Sequence, residues 1–259
     1  VKAKILFFCL IFFGLSGCAA ISGCTVEGSG EQNVPRDSFV QISNSTYMKI
    51  CDAENPDVCF EDRSRSVGSG AVFRHSGDHT FVLTAAHVCE SQRRAKLIEE
   101  GKKDPTVIFT AEKRLQTIAL NGAEYDAEIL SLDHEIDTCV LITERVGIPV
   151  AQISKSPVQE GEKVWNVAAP LGLFDTNTVS ILEGYYSGAM PNIERSAVLY
   201  SIPVAPGSSG SPIFNSRGEI VGMVHSVYTR FHHQSLSPSW YDLRNFLQDA
   251  VWTYNRKYN

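Results

Sequence analysis

Apolar positions in this chain fall into short runs separated by Gly, Pro, Asn and Asp. In the first half the runs with strand character cover 39–42, 47–50, 68–73, 81–84, 106–111, 115–120, 127–132 and 138–143. In the second half they cover 164–168, 179–187, 197–203, 211–214, 220–227 and 231–237. Many short strands with turn signals between them predict an all-β protein, a sandwich or a barrel, and periodicity does not choose between the two. Segment 93–104 is charged and predicts a loop or short helix. Pro149, Pro157 and Gly161 make 147–162 a connection between two halves. The period changes only after Pro238, where Trp240, Leu243, Phe246, Leu247 and Val251 share one helical face. This predicts a C-terminal helix docked on the second half.

The first residues follow a different pattern. Lys2 and Lys4 precede an apolar run over 5–15, shorter than the roughly 20 residues a spanning helix needs. A basic flank before such a run reads as a secretory signal peptide, and hence as export. Leu15-Ser16-Gly17-Cys18 resembles a bacterial lipoprotein box, which would leave Cys18 as a lipidated membrane anchor. Ile21-Ser22-Gly23-Cys24 repeats the pattern farther from the apolar run. Ordinary cleavage near Ala19-Ala20 is the alternative. Residues 19–37 carry little that can pack and read as a flexible tether. The chain opens on Val1, which suggests a non-ATG start or a missing first residue.

The 259 residues carry a net charge of −6, a bulk field that argues against nucleic acid as a partner. The basic groups Arg63/Arg65 and Arg93/Arg94/Lys96 are offset by Glu99, Glu100 and Asp104 and read as solvated. No CxxC or His-x-x-x-His spacing suggests a metal, and no cofactor is expected.

Chemistry concentrates in three stretches. Pro206-Gly207-Ser208-Ser209-Gly210-Ser211-Pro212 sets a serine among glycines that permit backbone conformations closed to other residues. Such a turn can aim the N–H groups of Gly207 and Ser209 at an oxyanion forming beside the Ser209 hydroxyl. A serine nucleophile needs a base within reach, and the base needs an orienting carboxylate. His87, at the end of the apolar run Phe81-Val82-Leu83-Thr84-Ala85-Ala86-His87, is the base candidate. Asp137, which opens the apolar strand 138–143, is the carboxylate candidate, with Asp133 and Glu135 as competitors.

Thr84-Ala85-Ala86-His87, Asp137-Thr138-Cys139-Val140-Leu141 and Gly207-Ser208-Ser209-Gly210-Ser211-Pro212, in that order, resemble the trypsin/chymotrypsin-like serine peptidases. Gly68-Ser69-Gly70-Ala71-Val72-Phe73 and Ala169-Pro170-Leu171-Gly172 are similar to the bacterial HtrA-type and glutamyl-endopeptidase-type branches. The resemblance implies two six-stranded antiparallel β-barrels, at 38–148 and 149–259, with the helix closing the second. It leaves no stretch for the PDZ domain that HtrA-type enzymes often carry. It also implies a serine endopeptidase acting on proteins or peptides through an acyl-enzyme. Pro203 would form the base of the substrate pocket and His225, Ser226 and Val227 its wall. Lys/Arg preference is not expected, and a small or apolar residue before the cut is. His225 lies one position later than the pocket histidine of glutamyl endopeptidases, so a core or solvent role stays open. Ser208 stands where digestive members have Asp, so activation by a newly cut N-terminus is not expected.

Cys51 and Cys59 flank an acidic loop and are expected to staple its neck. Cys89 and Cys139 each lie two residues after a triad candidate, so contact between His87 and Asp137 would make them neighbours. The predicted disulfides are therefore Cys51–Cys59 and Cys89–Cys139, with buried free thiols the alternative for the second pair. Two other readings compete. One is a catalytically idle surface lipoprotein that keeps the fold and binds. The other is an α/β-hydrolase esterase, which needs the histidine last in order.

Overall fold

A computed structural model describes residues 34–190, 197–227 and 233–258. These belong to one compact unit, Gln32–Asn259. The signal-peptide, lipobox and tether readings, Cys18 and Cys24 included, lie outside the described residues, except for the tether's last few positions.

The first half is a closed antiparallel barrel of β1 (Phe39–Asp52), β2 (Cys59–Ser76), β3 (His79–Ala85), β4 (Val107–Ala119), β5 (Glu124–Asp133) and β6 (Thr138–Glu144). Round the barrel the order is β1-β2-β3-β6-β5-β4, and the β1–β4 ladder closes it. Helices α1 (Ala86–Cys89) and α2 (Gln92–Lys103) lie between β3 and β4. The runs at 39–42 and 47–50 are one strand, as are those at 106–111 and 115–120. The polar Ser43–Thr46 stretch breaks the apolar pattern but not the ladder, because it pairs with β2 on one side and β4 on the other. Backbone pairing on both edges tolerates polar side chains that a periodicity argument reads as a break.

The second half holds β7 (Lys163–Ala168), β8 (Phe174–Asp175), β9 (Thr178–Ala189), β10 (Ala197–Tyr200), β11 (Pro212–Phe214), β12 (Ile220–Met223), β13 (Ser226–Val227) and β14 (Ser235–Pro238). Its sheet runs β12-β11-β7-β9-β10-β14-β13, with β8 folded onto β9. The all-β trypsin-like architecture holds, but among the described residues this half is not a closed six-strand ring. Between β12 and β14 the link is a side chain: Met223 N–H donates to Ser237 Oγ at 3.0 Å.

Helix α3 (Trp240–Tyr258) starts at Ser239, whose Oγ accepts from Asp242 N–H and whose carbonyl accepts from Leu243 N–H. Trp240, Leu243, Leu247, Ala250 and Tyr254 are its buried face. Contrary to the expectation, this face leans chiefly on β5 and β6 of the first barrel, touching the second sheet at β12. Tyr254 extends the contact with the first barrel to β2 and β3. Its hydroxyl donates to Ser76 O at 3.0 Å, and its ring meets Phe81 edge-on at 4.8 Å. One apolar cluster runs from Phe39, Leu83 and Val140 through Val167, Phe214 and Met223 to Leu247, joining the halves.

A second cluster, around Val164, Tyr200, Ile202 and Val221, fills the other half. Burial drives the Tyr200 phenol well above the ordinary tyrosine range, with Tyr186 adding to the shift. Because the folded state resists ionising it, its contribution to stability is intact below about pH 10 and is lost as pH rises beyond. The wild type should therefore lose about 1.4 kcal/mol per pH unit above pH 10 that Tyr200→Phe does not lose. Urea midpoints at pH 9 and 11 test this. A parallel decline in both proteins would refute it.

Candidate active site

His87 sits in α1, a single turn that begins where β3 ends. Ala85 and Ala86 are completely buried, so the chain turns there with no side chain in front of the imidazole, which is 47% exposed. Asn44 reaches from β1 to hold the turn: its Nδ2 donates to the carbonyls of Val88 at 2.9 Å and Cys89 at 2.8 Å. These are two of the terminal carbonyls that a short helix cannot satisfy itself.

Asp137 ends the β5–β6 turn in the left-handed region, with φ of 52°. Asx residues tolerate this conformation far better than most. It turns the carboxylate back onto α1. Oδ2 lies 2.8 Å from His87 Nδ1, and Oδ1 accepts the His87 backbone N–H at 3.0 Å. The Asp137 carbonyl accepts Ala86 N–H at 3.1 Å. Asp133 is occupied elsewhere, its Oδ1 accepting Glu135 and Ile136 N–H within the turn. Glu135 is exposed.

The serine turn enters from the second half. Gly207 and Gly210 have φ of 98° and 86°. A Cβ on Gly210 would lie 2.1 Å from Thr84 Oγ1 and 2.2 Å from Ser69 O, so only glycine fits against β2 and β3 there. Ser69 is the bracket that sequence reasoning missed. Its N–H donates to Ser209 O at 2.8 Å, its Oγ donates to Gly207 O at 2.8 Å, and that Oγ accepts Ala169 N–H at 3.1 Å. Thr84, three residues before His87, donates to Ser69 O at 2.8 Å. One buried residue thus links the serine turn to the histidine strand. It stood inside the glycine-containing motif, but nothing local to 68–73 reveals a partner 140 residues away. Among the described residues, the Gly207 and Ser209 N–H groups have no protein acceptor, and Ser209 Oγ is not bonded to the His87 ring. Catalytic hydrogen bonds are commonly long in unliganded sites and tighten around substrate.

Pro203 is half-buried on the segment leading from β10 to the serine turn. Ser226 and Val227 form β13 and pair with Leu236 and Ser235. His225 is turned inward: its side chain is 12% exposed, with Nδ1 4.0 Å from Asp137 Oδ2. Ser208 is buried, and its Oγ accepts Ala205 N–H at 3.4 Å.

Among the described residues, both predicted disulfides are formed. Cys51–Cys59 joins directly paired positions of β1 and β2, and Cys89–Cys139 ties the end of α1 to β6. The second closes a 50-residue separation, worth about 4 kcal/mol by chain entropy. Cys89→Ala/Cys139→Ala should lower unfolding stability by about that much, read from urea denaturation. A change below about 1 kcal/mol would show that the bond does not constrain the unfolded chain.

Fold and site together define a class. Residues 68–223 match the family described as trypsin-like peptidase domain, and the chain belongs to that family. Among curated relatives, a "Probable periplasmic serine endoprotease DegP-like" of Hahella chejuensis is 32% identical over 169 residues, covering 64% of this chain and 31% of that protein. Its namesake in Pseudomonas fluorescens is 28% identical over 174 residues, covering 65% of this chain and 32% of that protein. The chain spans about a third of the length of the curated relatives it matches. Among solved structures, the HtrA-type protease AlgW with a decapeptide superposes with a TM-score of 0.59 at 15% identity, over 81% of this chain and 63% of that one. An inactive form of Rv3671c from M. tuberculosis H37Rv gives 0.55 at 16%, over 85% and 89%. At such identities the structural likeness speaks for the fold.

Proposed function

We propose that this chain is a serine endopeptidase of the HtrA/DegP type, cleaving peptide bonds through an acyl-enzyme on Ser209. The observation that carries the reading is the Asp137–His87 pair, held at 2.8 Å beside a glycine-flanked serine turn. In this mechanism His87 takes the Ser209 proton as Oγ attacks the carbonyl, then returns it to the leaving amine. Asp137 holds Nδ1–H, which leaves Nε2 as the basic nitrogen, and stabilises the imidazolium. The Gly207 and Ser209 N–H groups receive the tetrahedral oxyanion, where one lost donor typically costs ~3 kcal/mol of barrier. Pro203, Ser226 and Val227 shape the pocket for the residue before the cut.

The amino-terminal reading belongs to the same proposal. A signal peptide cleaved ahead of Cys18, a lipid anchor on that cysteine and a tether to about residue 37 would place the two β halves outside the cytoplasm. The periplasmic designation of the relatives supports export. The mass of the mature N-terminus tests the anchor, since a lipid adduct on Cys18 supports it and an unmodified end at Ala19 or Ala20 rejects it.

A fluorophosphonate probe tests the activity. The protein should be labelled in a single peptide containing Ser209 and should lose its hydrolysis of an unfolded protein substrate in step. Hydrolysis that survives complete labelling would reject Ser209 as the nucleophile.

A further inference from the structure

Strand β2 carries two features that the hydrolase mechanism does not use, one at each end. From Cys59 to Gly68 it pairs with β1 but not with β3, whose ladder with β2 starts at Ala71. With β1 and β4 this stretch forms a three-stranded arm that leaves the barrel for about 30 Å, at roughly 3.3 Å per residue. The tip of the arm is held in one shape. Cys51–Cys59 closes it, Asp52 N–H donates to Val58 O at 3.0 Å, and Asp52 Oδ1 accepts Glu54 N–H at 2.8 Å. The tip is also acidic and apolar at once. Asp52, Glu54 and Asp57 are exposed, with no Lys or Arg in ion-pair reach among the described residues. Val58 and Phe60 are 59% and 66% exposed.

The other end of β2 borders a groove of about 350 Å³ between α3 and the segment 152–155. Phe73, Ile153, Leu247 and Val251 supply its apolar floor, and Arg74, Lys155 and Arg244 its rim. Among the described residues no carboxylate pairs with any of these three cations, and no Asp or Glu lines the groove. Arg244 lies over the Trp240 ring at 5.1 Å, which leaves its charge uncompensated. Three such cations around an apolar hollow, in a chain of net charge −6, select an acidic segment that carries an apolar side chain. The arm tip is a segment of that kind. It is already ordered, so docking it costs little conformational entropy. Fifteen residues of β2, about 50 Å along the strand, separate Cys59 from Arg74, so the tip cannot reach the groove of its own copy.

We propose that the arm tip of one copy docks in the groove of a second copy, with its acids on the three cations and its apolar side chains on the floor. The two patches are different surfaces. The contact is therefore head-to-tail and repeats from copy to copy, giving rings or short chains instead of a two-fold dimer. One contact of this size is small, so its affinity is about micromolar or weaker.

Sedimentation velocity of the full-length Ser209→Ala protein tests this, free of self-cleavage and in a nonionic detergent that keeps an amino-terminal lipid from gathering copies. The average mass should rise with concentration between about 5 and 200 μM. A tip reversal, Glu54→Lys/Asp57→Lys, and a groove reversal, Arg74→Glu/Lys155→Glu/Arg244→Glu, should each weaken association by at least about tenfold. Mixed together, the two reversed proteins should associate again, because each then meets its charge match on the other. Phe60→Ser should weaken association with no change of charge. A wild type that stays monomeric, reversals that associate like the wild type, or a mixture that stays apart would each overturn the inference. So would a monomer whose groove binds polyglutamate, an outcome that gives the groove to another acidic protein. If the triple reversal unfolds, Lys155→Glu, at an exposed position, takes its place in the same mixture.

Discussion

Ser209→Ala should lower kcat by about 10⁶-fold and abolish probe labelling while leaving the fold intact. The size follows from the chemistry. Without Oγ no acyl-enzyme can form, and proton transfer by His87 and orientation by Asp137 lose their object together, so the three contributions vanish as one. What remains is whatever the Gly207 and Ser209 N–H groups and substrate binding give to direct attack by water, about 10³- to 10⁴-fold over the uncatalysed reaction. Stability should stay within about 0.5 kcal/mol, because Ser209 is only half-buried and its carbonyl, not its hydroxyl, carries the bond to Ser69. Progress curves at high enzyme concentration, with thermal unfolding as control, measure both. A variant retaining a tenth of the activity would remove Ser209 from the mechanism.

Asp137→Asn should lower kcat by about 10⁴-fold with little change in KM. The substitution keeps the volume and tolerates the left-handed backbone at this position. The amide oxygen can still accept the His87 backbone N–H that Oδ1 now takes at 3.0 Å. The amide nitrogen then lies where Oδ2 was, against Nδ1, and two N–H groups cannot face each other. The ring must turn its proton to Nε2, which leaves no lone pair for the Ser209 hydroxyl. Steady-state kinetics at pH 8 with unchanged thermal unfolding would bear this out. A loss below tenfold would mean that the carboxylate merely packs beside the ring.

These two residues also mark what local sequence can reveal. His87, Asp137 and Ser209 stand out because each sits where an apolar strand meets small or turn-forming residues, and such junctions put side chains at the rim of a barrel. The strand at 81–84 and the strand at 138–143 were legible for the same reason, as continuous apolar runs buried on both faces. The long β1 and β4 were not, because their middles are polar and only the paired neighbours show that the ladder continues. The helix face over Leu243 and Leu247 was legible, but its partner was not. Helical spacing says which side is buried, and Tyr254 reaching Ser76 and Phe81 says against what.

The sequence by itself determined the all-β class, the C-terminal helix, the order of the three motifs and the residues capable of nucleophilic chemistry, because those follow from short-range pattern and side-chain type. Only the tertiary structure decided that Ser69 brackets the serine turn and that His225 looks toward Asp137 instead of outward. It also decided that the second sheet is joined between β12 and β14 by the Ser237 hydroxyl. Each of these is a contact between residues distant in the chain, set by how two packed sheets approach each other. No local periodicity carries that information.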